Sequence, residues 1–364
     1  MQTSPFPHQG PVEPDTWPER AHRAIVDDLV ARVTERRVTA LLGPRRFGKT
    51  SALRSVAAVL RDTSTIVWLD LYELASWADF AIRLDRSLAA AAVRHPDVTS
   101  MAARVQLRLG FVELEFHKSA AQQPDAHALA RSLVDIVVDL GTSRPTTVII
   151  DEFSGIVGQQ GVAGMLRTAF QHHFTDIGLL FAGSEPSTME LLFTDRAEPF
   201  YAQADIVEAP RMTLDELTDI VADGFASTDR AAGSLAGEIH AFSDGHPHRS
   251  MQLADAAWRR VPVDGAVGTT TFGDALDDVV WNVGTGLERL FSSFPVGERL
   301  VLRIVAARRS LFGGTASSLG LSHGGAQHAR DALIHRGHLE RVDDDSLRIV
   351  DPVMAEWIRR TFGG

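Results

Sequence analysis

Residues 43–50 read Gly-Pro-Arg-Arg-Phe-Gly-Lys-Thr, and no other stretch of this 364-residue chain restricts its fold as much. The spacing is that of a G-x-x-x-x-G-K-[ST] phosphate loop. Gly43 and Gly48 let the backbone approach a phosphate without a side chain in the way, so that successive N–H groups can cradle it. Of the 36 lysines and arginines, only Lys49 and Lys118 are lysine. A chain that uses arginine nearly everywhere else keeps a compact ammonium where a planar guanidinium is too wide to enter beside the β- and γ-phosphates. Thr50 offers its hydroxyl to Mg²⁺. Pro44, Phe47 and Ser51 complete the candidate nucleotide-binding set around the loop. The competing reading is a plain glycine turn, but a chance match is on the order of one in a thousand at ordinary residue frequencies. The flanks also argue against a turn. Residues 38–42 are an apolar, β-branched run ending at Gly43, as a buried strand should. Residues 51–60 carry apolar positions at helical spacing, and the start of that helix adds partial positive charge beside the loop.

A nucleotide triphosphate site needs acids as well. Residues 146–152 read Thr-Thr-Val-Ile-Ile-Asp-Glu, a buried-strand pattern ending in two carboxylates. Asp151 suits the metal's shell as a hard oxygen ligand. Glu152 suits the general base that orients and deprotonates an attacking water. Alone this pattern is weak and also fits an Asp-Glu turn after a core strand; it gains weight from the loop upstream. Further strands are expected over residues 65–71, 178–184 and 204–208. Helices are expected over 79–93, 125–140 and 162–173. Strands alternating with helices predict an α/β fold with a parallel sheet covered on both faces. Ligands then bind beyond the C-terminal strand ends, where Gly43, Asp151 and Ser184 all fall. Ser184 is a candidate catalytic residue with Lys49 and Glu152, contacting the γ-phosphate or the attacking water; a hydroxyl that merely closes a strand end is the plainer alternative.

Composition sets outer limits. The net charge is −11, so bulk charge does not make the chain a polyanion binder. Without cysteine, disulfides, thiolate metal sites and cysteine nucleophiles are excluded. A cytoplasmic setting fits that lack, and the arginine-over-lysine and alanine bias suggests a GC-rich bacterial genome. No apolar run reaches membrane-spanning length and the first residues lack a signal-peptide pattern, so no membrane partner is expected. His172, His173, His240, His246 and His248 lack zinc-ligand spacing with a supporting carboxylate or cysteine and read as surface histidines. Arg45 and Arg46 read equally as phosphate or subunit contacts and as solvated loop residues.

The second half changes pattern. Thr213 and Glu216 form a Thr-x-x-Glu capping box that opens a helix after Pro210. Pro247 fits a first helical turn, so residues 247–260 read as a helix, and 262–273 as a Gly/Pro/Thr-rich loop. Helices are expected over 297–309, 315–319 and 322–336, the last ended by Gly337. Residues 338–342 and 346–350 alternate about an Asp343-Asp344-Asp345 turn. Three helices and a hairpin read as a winged helix-turn-helix, followed by a last helix from Pro352. Gln327, His328, Arg330, His335 and Arg336 on its third helix offer donors for DNA base edges. Asp331 and the acidic hairpin tip oppose phosphates, which keeps a protein-facing role open.

On these residues the chain resembles the archaeal-type ATPases of the AAA+/STAND group of P-loop proteins. Gly43 through Thr50, Asp151-Glu152 and Gly183-Ser184 carry the likeness. Trp17-Pro18-Glu19-Arg20 is similar to the group's F-x-G-R-E lead-in near the adenine. Gly245-His246-Pro247 is similar to the Gly-x-Pro motif of its helical lid. The resemblance implies Arg20 and Pro247 as base-side contacts. It also implies ATP and Mg²⁺ as ligands, and an ATP-driven switch that is oligomeric or partner-bound. It divides the chain into a lead-in (1–20), a P-loop core (21–210), a lid (211–285) and a winged helix (286–364). Two departures weaken hydrolysis. Phe200-Tyr201-Ala202-Gln203 lacks the arginine many relatives place there, leaving Arg196 and Arg211 unranked as substitutes, and His248, beside Arg249, stands where a sensing arginine is common. An ATP-loaded DNA-binding regulator or replication/transposition helper with slow turnover is the alternative, and a signalling scaffold without hydrolysis a third reading.

Overall fold

The computed structural model describes residues 2–12, 23–94, 125–159, 161–311, 320–343 and 346–363. Arg20 and its neighbours 17–19, the helix expected over 315–319, and Asp344 and Asp345 lie outside the described residues.

Five apolar runs form the strands β1 (Thr39–Leu42), β2 (Thr65–Asp70), β3 (Thr146–Asp151), β4 (Ile177–Gly183) and β5 (Asp205–Glu208). All pair in parallel, in the order β2-β3-β4-β1-β5. Successive side chains on a strand point to opposite faces, and each central strand feeds two apolar clusters accordingly. In β4, Ile177, Leu179 and Phe181 enter one, while Leu180 and Ala182 enter the other. β1 and β3 divide the same way, Leu41 and Ile149 facing opposite to their neighbours. The first cluster is covered by α3 (Trp77–Arg94), α4 (Ala126–Ser143), α5 (Val162–Phe170) and α6 (Pro186–Thr194). The second is covered by α1 (Arg23–Thr34) and α2 (Lys49–Leu60). This is the expected α/β sheet with helices on both faces.

The rest of the chain is mostly helical: α7 (Leu214–Ala226), α8 (Leu235–Ser243), α9 (Pro247–Arg260), α10 (Thr271–Ser293), α11 (Val296–Ala306), α12 (His323–His335) and α13 (Pro352–Phe362). Before α13 comes an antiparallel hairpin of β6 (Leu339–Asp343) and β7 (Ser346–Ile349). Capping fixes several ends. Thr213 and Glu216 bond reciprocally at the start of α7, and Ser322 and Asp351 cap α12 and α13. Gly337, at φ 70, takes the left-handed turn after α12 that a side chain resists. One apolar cluster runs unbroken from Met212 to Ile358 and includes Phe6 from the N-terminal segment.

Helix α10 was not expected. Its buried positions, Ala275, Leu276, Val279, Val280, Leu287 and Phe291, keep helical period, but Gly284 and Gly286 dilute the pattern midway. It begins inside the stretch read as a loop and crosses position 285. Among the described residues no helix is long and apolar enough to cross a membrane.

Candidate functional site

The register places the site before any side chain is considered. Leu42 pairs with Gly183, so Gly43 and Ser184 leave adjacent strands side by side. Ile150 pairs with Phe181, so Asp151 ends its strand one position away. Sheet pairing alone therefore gathers the phosphate loop, the acid pair and the serine at one edge.

The loop is tight against β5: a Cβ on Gly43 would come within 2.9 Å of the Cβ of Ala209. Gly48 starts α2 from the left-handed region at φ 78, which glycine enters without penalty. Arg46 does the same at φ 69 and bears the cost that a side chain adds there. Lys49 is 6% exposed. Its Nζ donates to the carbonyls of Gly43 at 2.7 Å and Pro44 at 2.8 Å. Burial lowers its pKa to about 8, opposed by the negative charges of Glu152 and Asp151 and reinforced by Arg45. Thr50 Oγ1 donates to Asp151 Oδ2 at 2.8 Å, which ties the loop to the acid pair directly. Asp151 is buried, and burial pushes its carboxyl up to about 6; the charge of Glu152 adds to this, while the Thr50 hydroxyl and the Glu152 N–H oppose it.

Glu152 sits at φ 51, ψ 44, a conformation costing a residue with a side chain roughly 1–2 kcal/mol. What holds it there is the next residue. Phe153 starts a short 3₁₀ turn and packs into a buried aromatic cluster, 4.6 Å from Phe181 and 5.5 Å from Phe200 between ring centres. The backbone must reverse between Asp151 and Phe153, and the reversal turns the Glu152 side chain toward β4. Its Oε2 accepts from the Ser184 hydroxyl at 2.7 Å and from the Ser184 N–H at 3.2 Å. Strain of this kind concentrates at functional sites.

A cavity of about 710 Å³ adjoins these groups, lined by Gly48, Lys49, Thr50, Ser51, Glu152 and Ser184 on one side and by Pro247, His248 and Arg249 on the other. Pro247 lines the same cavity. Phe47 does not line it. Its ring is buried against His246, 4.8 Å between ring centres, beneath the Arg211 guanidinium at 5.3 Å. Only the Phe47 backbone is left for a phosphate. Gly43 and Pro44 likewise meet Lys49 through their carbonyls. Arg249 is buried with both guanidinium edges engaged: Nε and Nη2 donate to Asp351 at 2.9 and 2.5 Å, and Nη1 to Gln252 at 2.5 Å. It braces α13. Arg211, paired with Glu340 through Nη2, is likewise occupied within the chain.

Two contributors were invisible to sequence reading, and a third, His248, reads there only as a surface histidine standing in place of a sensing arginine. Residues 7–12 cross the cavity as a strap, anchored by Phe6 against Phe225 at 5.6 Å and by the Val12 N–H on Ser51 Oγ at 3.1 Å. Tyr72 lines the cavity under Arg45, 6.0 Å away. The Nδ1 of His248 is buried without a partner, and burial lowers this ring's pKa to about 3, with the charges of Arg249, Arg46 and His246 adding to it; the group is a neutral imidazole facing the cavity. A Pro-rich start and one lone tyrosine carry no pattern that would single them out.

No protein-family model matches the chain, and no curated protein matches it in sequence. Its fold matches solved structures. The Walker-type ATPase Paby2304 of Pyrococcus abyssi superposes with a TM-score of 0.70 at 18% identity, covering 98% of this chain and 99% of that one. The Aeropyrum pernix ORC2 protein, solved in ADPNP–ADP complexes, gives 0.52 at 14% identity, covering 99% and 98%. At such identities the likeness is one of fold, and the fold is that of the P-loop NTPases.

Proposed function

We propose that this chain is a P-loop ATPase that binds and hydrolyses ATP and acts as a conformational switch on a macromolecular partner. The observation that carries this reading is the 2.8 Å bond from Thr50 to Asp151. It brings a loop lysine and a pair of acids to one cavity, as a triphosphate site requires.

The residues also fit Mg²⁺. Thr50 and Asp151 offer two hard oxygens beside the loop. That is the donor set of an ion completed by substrate phosphates and water. Bound there, Mg²⁺ would neutralise charge on the β- and γ-phosphate oxygens. The protein's own groups do the rest. Loop N–H groups bind the phosphates, and the Lys49 ammonium turns from the Gly43 and Pro44 carbonyls toward them. Ser184 holds Glu152 by Oε2, leaving Oε1 to orient the attacking water and take its proton. Pro247 and His248, with the strap at residues 7–12, enclose the base side; Arg20 completes it under the resemblance.

Under this reading residues 21–210 are the P-loop core, 211–285 the lid and 286–364 a winged helix, in the manner of the AAA+/STAND group, with a protein partner or a second copy as the object of the switch. Helix α12, the one that would enter a DNA groove, touches α6, and a Cβ on Gly337 would lie 3.6 Å from Pro186. That packing favours a protein-facing or inward role for the module over DNA binding in this conformation. Arg211 supports a switch: it spans Phe47 of the loop and Glu340 of the hairpin.

Phosphate release and nucleotide binding measured on three chains test the proposal. Wild type should turn over. Lys49→Ala should lose nucleotide binding. Glu152→Gln should keep binding and lose turnover by about 10²-fold or more. Wild-type affinity in Lys49→Ala removes the site, and unchanged turnover in Glu152→Gln removes the base. Duplex DNA binding that weakens steeply with salt would instead restore the DNA-regulator reading.

A further inference from the structure

A second cavity, of about 780 Å³, lies between the end of α11, the β6–β7 hairpin and α13. That volume is within the range of small-molecule sites, roughly 300–1,000 Å³. Seven arginines line it and a single acid, Asp244, does, in a chain whose net charge is −11. Four of the arginines are neutralised nearby. Arg211 and Arg348 share Asp244 and Glu340, while Arg330 pairs with Asp331 and Arg359 with Glu356. Arg308, Arg309 and Arg341 have no side-chain hydrogen bond or ion pair among the described residues.

Basic residues after a helix complement its negative end, which gives Arg308 and Arg309 a structural use behind α11. It explains neither Arg341, which comes from the hairpin, nor the backbone of Arg308. That residue sits at φ 54. Its N–H bonds Val305 O at 2.9 Å, and the next N–H bonds Ile304 O at 3.1 Å. Glycine is the residue this helix-ending geometry favours, so Arg308 bears a conformational cost there, as Arg36 does after α1. Crowding is visible in Arg348 as well, whose pKa falls to about 10 through burial and the charge of Arg211. Beneath the guanidinium groups the floor is apolar: Leu311, Ile349 and Val350 are buried.

We infer that this cavity binds a compact polyphosphorylated ligand, its phosphates held by Arg308, Arg309 and Arg341 and its apolar or planar body on Leu311, Ile349 and Val350. One guanidinium fork satisfies one carboxylate. Three exposed forks at one half-open cavity, unpaired among the described residues, call for several oxyanions on a small frame, which a polyphosphate supplies and a single acidic side chain does not. The site is separate from the phosphate loop and stands whether or not that loop hydrolyses ATP.

Calorimetric titration of the full chain with sodium tripolyphosphate tests it, with the loop silenced by Lys49→Ala. One site should remain in that chain. Adding Arg308→Gly and Arg341→Ala should weaken it at least tenfold, about what one charged hydrogen bond supplies. All three arginines are exposed, so their replacement does not threaten the fold. Arg308→Gly should even raise thermal stability while binding falls, a pairing that a purely structural arginine would not give. An exposed arginine outside the cavity, in Arg289→Ala, should leave binding unchanged. If Lys49→Ala does not fold, the wild type should show two sites, with one lost on the arginine substitutions. Tighter binding of a non-hydrolysable ATP analogue than of tripolyphosphate identifies a nucleotide as the source, and equal binding identifies the phosphate chain alone. The inference fails if tripolyphosphate finds no site beyond the loop, or if the arginine substitutions leave its affinity intact. It fails equally if a single-stranded oligonucleotide or an acidic peptide binds there and tripolyphosphate does not.

Discussion

Replacing Asp151 with asparagine should stabilise the chain while removing an oxygen ligand from the candidate metal site. Burial holds the Asp151 carboxyl near pKa 6, against about 3.9 in an unfolded chain. A carboxyl with a raised folded pKa favours folding when it is neutral. Its ionisation therefore costs nothing below about pH 4, costs progressively more as pH rises toward 6, and costs about 3 kcal/mol from pH 7 upward, at 1.36 kcal/mol per unit. Asparagine avoids that cost without orphaning a partner. Its Oδ1 can keep the Glu152 N–H now bonded at 3.0 Å, and its amide can donate to the Thr50 hydroxyl. Lys49 loses a supporting negative charge, which takes back part of the gain and leaves about 1–3 kcal/mol at pH 8. Denaturant titrations of both chains at pH 8 and pH 5, without nucleotide, provide the measurement. The gain should shrink by roughly half at pH 5, where the folded wild type is already mostly neutral. Repeated with ADP and Mg²⁺, the magnesium-dependent part of the ligand's stabilisation should appear in the wild type only. An asparagine chain less stable than wild type at pH 8, or a gain of equal size at both pH values, would refute the assignment of a buried, penalised carboxylate.

The same titration bears on binding: magnesium-dependent nucleotide affinity should fall as pH drops through about 6, where Asp151 protonates, and fall again above about 8, where Lys49 of the free chain loses its proton; a profile flat from pH 5 to 9 contradicts both. Phe153→Ala should cost about 3–5 kcal/mol in denaturant titration, as loss of a buried aromatic does, and should also lower turnover by releasing the turn that aims Glu152. Arg249→Ala leaves the Asp351 carboxylate without its guanidinium and should cost about 3–5 kcal/mol, with hydrogen exchange quickening first in α13; Arg249→Lys should not rescue it, because one ammonium cannot span both carboxylate oxygens. Phe6→Ala should weaken nucleotide binding at least several-fold by freeing the strap, while the exchange protection of the sheet stays unchanged.

What could be read from the sequence was whatever local chemistry dictates. The phosphate loop is a run of eight residues whose glycines and lysine each have a steric or electrostatic reason to be there. The strands were legible because both faces of the sheet are covered, which makes Thr146–Asp151 and Ile177–Gly183 apolar on both sides and so continuous rather than alternating. Caps at Thr213, Ser322 and Asp351 are one-residue decisions between a side chain and a backbone N–H. Helices α6 and α8 escaped notice because each carries only three buried apolar positions, and α10 because Gly284 and Gly286 interrupt it, so that tertiary packing supplies the order that propensity does not. Helix α1 was missed although Ile25, Val26, Leu29 and Val33 keep helical spacing. Phe47 shows the same limit within the site. Its place in the loop motif suggested contact with nucleotide, but a motif fixes the backbone path and leaves a variable position's side chain to its neighbours. Here the neighbours are His246 and Arg211, 199 and 164 positions further along the chain.

Those distant neighbours are paired charges that no window of sequence can connect. Arg211 and Glu340 are separated by 129 positions, and Arg249 and Asp351 by 102. Exposed pairs of this kind contribute little, but Arg211 and Glu340 keep only 19% and 26% of their side-chain surface. Burial raises the pKa of Glu340, and the charge of Arg211 and its hydrogen bond counter that rise. Separating the two would leave a partly desolvated carboxylate beside the hairpin and would strip the cation from the Phe47 ring in the same movement. A shift of the loop toward a phosphate therefore cannot be confined to the loop: Phe47 moves with it, and Arg211 must either follow, dragging on Glu340 and Asp244, or give up its ring contact. The hairpin is thus one side chain away from the phosphate loop. Polar contacts that are only partly buried are suited to that position, since they hold the two bodies in register yet yield within the few kcal/mol that a bound ligand can supply.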